Sequence, residues 1–588
     1  MASLQGLMAT AGGLERARRW LRRRAWLARW LPPAEQRATY TWAVFAGILA
    51  AGCVLAVRVG LEGAQWLLTQ SIAPIIEVAR DLPDWRRLVT PALGGIAAGW
   101  LVIWGRRFTG NQPAVDYMEA VTLGDGIIRG RPALLRCVAA LFSIGSGGSL
   151  GREGPLLQLT TALVSSAGRH LGLGPPRLPL VVACSAAAAL AATYHAPLAG
   201  ALFVAEIVLG TIAIESFGPI VISSVVAVAV TRPILGAQAL FPGTVFRFQS
   251  AWELLLFLAV GLILGGLAPI VVRLLERART AFTALALPPY WQLGLGGLLV
   301  GAISIPVPEV WGNGFESLQA ILRGESATWT FVCLLLGAKL VATVASVGSG
   351  AVGGVFTPVM LLGGLGGWLL GAIFHSLWPT HTGTPAAYAL IGMGAFLGAT
   401  THAPLMSVVM VFELTLNPDA IAPLLIATVA AQTVARSVSS DSIYSASLRA
   451  RANRQRDARQ IQSLFQLPPP SVPFNAPLEQ VAIAFKNAPA GLVAVIEDNG
   501  QLAGCIRISD VHQHLADPHL ARLVTAGELI SPNSRWITAA ADPGVALARF
   551  TETDDPWLVV VDSTESRRIV GSLSRRDLLL WVAHGSTW

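Results

Sequence analysis

The sequence predicts an all-α polytopic membrane domain built from two inverted internal repeats with broken and re-entrant helices, followed by a small α/β cytoplasmic domain. Three observations carry this. The 588-residue chain is 53% hydrophobic and only 13% charged, with a mean hydropathy of +0.59, a balance that suits a bilayer rather than a large soluble core. Two glycine-rich motifs and the segments behind them recur at a nearly constant offset. After Arg459 the composition turns polar and strand-like.

Residues 1–39 form a basic N-terminal segment with Arg16, Arg18, Arg19, Arg22, Arg23, Arg24 and Arg29. A second basic cluster, Arg449 to Arg459, follows the last apolar span. Both flank the membrane region, so the positive-inside rule places both termini in the cytoplasm, across a plasma or inner membrane. Trp20, Trp26 and Trp30 among the first arginines suit either a helix lying on membrane lipid or an extended basic tail. The formal charge of +8 is concentrated in these clusters and is not a nucleic-acid signature. No cleavable signal peptide is expected, because the first apolar span starts about forty residues in. The five cysteines show neither metal spacing nor a disulfide framework.

The membrane domain covers residues 40–450, with halves at about 40–235 and 250–450. Uncharged stretches include Thr41–Val57, Leu88–Gly105, Leu178–Tyr194, Leu254–Val272, Gly353–Phe374 and Ala420–Ala435. Several fall short of the ~20 residues of a straight crossing, and others contain Gly or Pro, which predicts tilted and re-entrant helices. Small residues at Ala186–Ala189 and Gly363–Gly367 let helices approach closely.

The chemistry concentrates in Gly145–Pro155, where five glycines leave the backbone bare and Pro155 suits the first turn of a helix. A helix N-terminus at membrane depth presents orphan amides and a positive dipole end, which together make an anion site. A flexible loop would account for the glycines but not for Glu153, since ionisable groups at that depth are costly and functional. An ion pair with Arg152 is disfavoured, because adjacent helical residues do not face each other.

This stretch has a counterpart. Ser349–Pro358 repeats its spacing, with Ser146 to Ser349 and Pro155 to Pro358 both separated by 203 residues. Tyr194-His-Ala-Pro-Leu198 leads to Glu206, and Thr401-His-Ala-Pro-Leu405 leads to Glu413, both pairs offset by 207. Duplicated transporters place their sites where broken helices of the two halves meet. His195 and His402 adjoin helix starts, where capping exposed amides is the expected duty rather than metal binding. Glu206 and Glu413, at equivalent positions, are expected to share a structural role near helix ends.

Gly151-Arg-Glu-Gly-Pro155, Gly354-Val-Phe-Thr-Pro358 and Ile443-Tyr-Ser-Ala446 resemble, in order and separation, the motifs of the CLC chloride channels and chloride/proton exchangers. The resemblance implies a homodimer with one pathway per subunit, carrying chloride or a similar small anion, with protons as the coupled ion in exchangers. It makes Glu153 the gating glutamate, which competes with the anion and swings away when protonated. It assigns anion contacts to Arg152, Gly154, Val355, Phe356 and the Tyr444 phenol, and to Gly110 and Asn111. The family's Gly-Ser-Gly-Ile-Pro reads Thr109-Gly-Asn-Gln-Pro113 here, so its serine hydroxyl falls on Gly110 and the choice of anion stays open. Exchangers of the family carry a second glutamate just after the position of Glu206. Here that residue is Ile207, which leaves Glu206 as a substitute on the proton path and a passive voltage- or pH-gated channel as the alternative. A cation transporter or a membrane-bound nucleotide sensor is the remote alternative; a cation pathway would need rings of Asp or Glu, and no metal cluster or nucleophile–base set points to an enzyme.

Residues 451–470 read as a linker and 471–588 as the tail. Leu492–Ile496, a turn at Asn499-Gly500 and a strand from Gly504 predict a hairpin before Asp510; Leu558–Val561 and Gly571–Asp577 repeat it. This is similar to a tandem pair of CBS modules, which implies an adenine nucleotide (ATP, ADP or AMP) held by Ser574 and Asp577. The first module keeps Asp510 but has Arg507 in place of the hydroxyl. A purely structural, dimerising module is the other reading.

Overall fold

A computed structural model describes residues 34–584 apart from 110–116, 123–124, 174–176, 237–239, 242–245, 247–249, 325–326, 446–463, 487, 489–490, 508–510, 512–523, 531–535, 542 and 554. Residues 1–33 of the basic N-terminal segment, Gly110, Asn111, Ala446 and Asp510 therefore lie outside the described residues, as does the second basic cluster.

The membrane domain is helical throughout its described length. It opens with the 36-residue helix Ala34–Thr69, about 54 Å long and so tilted in any bilayer. Among the described residues, seven helices are long and apolar enough to span, and Leu178–Tyr194, Pro197–Val208 and Pro404–Thr415 are shorter apolar pieces. Proline lies inside several spans, at Pro91, Pro219, Pro233 and Pro269, as membrane helices tolerate.

Backbone contact replaces side-chain packing at the tightest crossings. Asp84–Thr109 and Pro289–Ser304 meet through Gly95, Gly99, Gly297 and Gly301, where an added Cβ would fall 2.1–2.4 Å from the opposing backbone. Phe356–Leu377 and Pro385–Thr401 meet in the same way through Gly363, Gly367 and Gly392, as the small-residue stretch predicts.

The duplication appears as local two-fold symmetry. Gly151 and Gly354, counterparts at the 203-residue offset, exchange backbone bonds: Gly151 N to Gly354 O at 2.7 Å and Gly354 N to Gly151 O at 2.6 Å. Antiparallel exchange between equivalent residues requires a two-fold axis between them. The helices Glu153–His170 and Phe356–Leu377 start on either side of it.

In the tail, β1 (Ser471–Pro473), β2 (Leu492–Ile496) and β3 (Leu502–Arg507) form one sheet in the order 1-2-3. β4 (Trp536–Thr538), β5 (Trp557–Val561) and β6 (Ile569–Ser574) form another in the order 4-5-6. Each has a parallel first pair and an antiparallel second pair, with the register shift at the same place. The short strands β1 and β4 are additions to the predicted hairpins. Leu492, Ala494, Val559 and Val561 close a shared apolar layer between the sheets.

Candidate functional site

The loop Ser146–Arg152 delivers Glu153 to the repeat axis. Gly147, at φ 102°, turns the chain beneath the Trp311 ring, and Ser149 is pinned by Ser346 Oγ (3.2 Å to its amide) and Thr343 Oγ1 (3.0 Å to its hydroxyl). Thr343 and Ser346 lie on one polar edge of Trp329–Gly348 with the buried Lys339, whose Nζ donates to Val310 O (2.9 Å) and Gly312 O (2.8 Å). One helix thus braces both the Glu153 loop and the Trp311 loop packed on it.

Glu153 is buried. Its Oε1 accepts from Tyr194 Oη and from Thr357 Oγ1 (2.5 Å), and those two hydroxyls are 2.7 Å apart. Its Oε2 lies over Gly151 and Gly354, where a Cβ would strike it. Among the described residues it makes no ion pair; Arg152 is the partly exposed N-cap, with ordinary φ/ψ of −80° and −7°. Gly154 stands against the Gly353–Gly354 backbone. Val355 is the N-cap of the second-half helix and Phe356 its first residue. Rings then run in sequence from Tyr194 to Phe356 (5.4 Å), Phe203 (6.5 Å) and Tyr444 (5.7 Å). Glu153, Gly154, Val355 and Phe356 are therefore brought together around the two helix starts, and Tyr444 is linked to them through the Phe203 ring. Tyr194 and Thr357 join them, although neither was singled out from the sequence.

The histidine expectation needs correction. His195 and His402 are left-handed residues, at φ 54° and 60°, that end the preceding helices Leu178–Tyr194 and Pro385–Thr401. The amides they were expected to cap are held across the repeat interface instead. Glu413 accepts from Leu198 N (3.0 Å) and Ala199 N (2.8 Å), and Glu206 accepts from Leu405 N (3.2 Å) and Met406 N (2.7 Å). Glu206 and Ile207 lie in a π-turn, Val204–Val208, that the second half lacks. In the tail, Ser574 Oγ accepts from Asp577 N (3.3 Å), Gln466 Nε2 donates to Asp577 Oδ2 (2.6 Å), and Arg507 pairs with the buried Asp555 at 3.2 Å.

Residues 94–436 match the family model described as voltage gated chloride channel. The chain belongs to that family. Residues 461–517 match the CBS domain model. A ClcB-like chloride channel protein of Ralstonia nicotianae is 43% identical over 387 residues, covering 65% of this chain and 90% of the relative. The voltage-gated ClC-type chloride channel ClcB of Escherichia coli K12 is 39% identical, covering 66% and 93%. Among solved structures, a slow cyanobacterial Cl⁻/H⁺ antiporter aligns with a TM-score of 0.61 at 23% identity over 71% of this chain and 98% of that one. A eukaryotic CLC transporter aligns with a TM-score of 0.62 at 20% identity over 92% of this chain and 97% of that one. The last two show a shared fold, which in the second case extends into the tail.

Proposed function

We propose that the protein moves chloride, or a similar small anion, across a plasma or inner membrane by proton-coupled exchange, as a homodimer with both termini cytoplasmic. Glu153 is its gate. The observation that carries this reading is the carboxylate wedged between two helix N-termini at the repeat axis. Bare amides and dipole ends stabilise whichever negative charge occupies that point, so an anion and the carboxylate compete for it.

The proton has a place in the same arrangement. Glu153 Oε1, Tyr194 Oη and Thr357 Oγ1 lie mutually within hydrogen-bond reach. Two hydroxyl protons serve only two edges of that triangle, and a proton on the carboxyl supplies the third. Protonation also removes the negative charge that the two helix dipoles favour at this point, so it favours release of the side chain and anion entry. Tyr444 and Phe356 line the continuation of the path.

Passive conduction is the second reading, and a specific observation favours it. Ile207 cannot bind a proton, and both oxygens of Glu206 are engaged by Leu405 and Met406 amides. The relatives' names as chloride channels point the same way. In proteoliposomes, an imposed chloride gradient should drive protons uphill. Chloride flux that follows its own gradient without proton movement would replace exchange by conduction.

The tail, on this proposal, takes an adenine nucleotide at Ser574 and Asp577, at the start of the helix Arg575–His584.

A further inference from the structure

The outer surface of the membrane domain carries a groove of about 630 Å³. Ala34–Thr69 lines it with a stripe from Phe45 to Ala56, at every third or fourth residue. Gly130–Gly145 adds Arg131 and Leu134, and Glu153–His170 adds Leu159 and Leu163. At about 1.5 Å per residue the stripe is about 16 Å long, close to one leaflet of a ~30 Å hydrocarbon core. Its floor opens at Gly52, where an added Cβ would meet nothing within 4 Å.

Arg131 is the charged member of this lining. It is exposed and pairs with none of the described residues. A guanidinium on a hydrocarbon-facing wall is costly unless its head reaches a polar partner. Its planar fork matches two phosphate oxygens. We propose that the groove holds one acyl chain of an anionic membrane phospholipid, with the headgroup phosphate on Arg131. Such a lipid would pack behind the helix that begins at Glu153. Occupancy itself does not depend on how that glutamate works.

Native mass spectrometry of the detergent-purified full chain tests this, with phosphatidylglycerol and phosphatidylcholine of identical chains as probes. Phosphatidylglycerol should remain bound in preference to phosphatidylcholine. Arg131→Gln should lower that preference about fivefold, the ratio produced by the ~1 kcal/mol of one basic residue at an anionic surface. Gly52→Leu should displace both lipids, and replacing a helical glycine does not threaten folding. Equal lipid retention in the wild type and both variants would overturn the proposal. So would a chain lacking residues 1–33 that gains adducts absent from the full chain, because the N-terminal segment would then be the occupant.

Discussion

A single carboxylate carries the reading of this membrane domain, and its surroundings say what releasing it should take. Charge-assisted bonds are worth ~1.5–3 kcal/mol. Removing one of the two hydroxyls that hold Glu153 should therefore shift its occupancy of the site by roughly tenfold or more. If Glu153 is the gate, Tyr194→Phe and Thr357→Val are expected to raise anion flux at neutral pH above that of the wild type. Gly354→Ala should do the same by a different route, since its Cβ would fall 2.5 Å from Glu153 Oε2. On the proposed gating, Glu153→Gln should flatten the pH dependence of flux, because the amide carries no charge to lose. Stopped-flow chloride efflux from liposomes at several pH values measures all four. A pH profile in Glu153→Gln that overlays the wild type would remove Glu153 from the mechanism. The glutamate is legible in the sequence as the one carboxylate in a glycine-rich stretch. Its partners are not, standing 41 and 204 residues away. One signal was available: the two copies differ at their positions. Tyr194 corresponds to Thr401, Thr357 to Gly154, and Glu153 itself to Phe356, so the candidate site departs from repeat symmetry at all three positions.

Helices, more than residues, keep the halves together. The short helices Pro197–Phe203 and Pro404–Thr415 begin with orphan amides at membrane depth, and each is capped by a glutamate from the opposite half. A carboxylate on a partly buried helix start contributes up to ~2 kcal/mol. Glu206→Gln and Glu413→Gln should therefore lower thermal stability by similar amounts, in line with their symmetry. They should differ in transport if Glu206 also delivers protons, because only its change would then lower the proton flux. Equal stability loss with unchanged proton movement in both would confine Glu206 to capping. The 207-residue offset reveals that these glutamates are equivalent, yet periodicity cannot say that each reaches across to the other's half. The same limit explains the histidines. Sequence places them beside helix starts, and only the backbone shows that they close the helices before. The π-turn at Glu206–Ile207 had no sequence mark beyond the residue that breaks the family pattern.

At the scale of the whole molecule, the tail reaches the membrane domain through Arg576, which lies 3.9 Å from Asp125. Asp125 belongs to the connection between the short helix Tyr117–Thr122 and Gly130–Gly145, just beyond the stretch that holds Gly110 and Asn111. Arg576 adjoins Asp577, so a nucleotide on Asp577 would place phosphate charge beside this contact. Binding there has a competitor, because Gln466 already occupies the Asp577 carboxylate. Gln466→Ala should tighten ATP or AMP binding to the full-length protein, and Asp577→Ala should weaken it. The effect on transport should be small. The Arg576–Asp125 pair is half-exposed and long, so it contributes no more than ~1 kcal/mol, and a nucleotide acting through it alone would change anion flux by about fivefold at most. Linkage then requires Arg576→Gln to remove that change while leaving flux without nucleotide near the wild-type value. Calorimetry on the full chain and liposome flux with millimolar ATP inside are the two measurements. No binding heat in either the wild type or Gln466→Ala would make the tail a structural module, with its two matching sheets serving assembly instead of sensing.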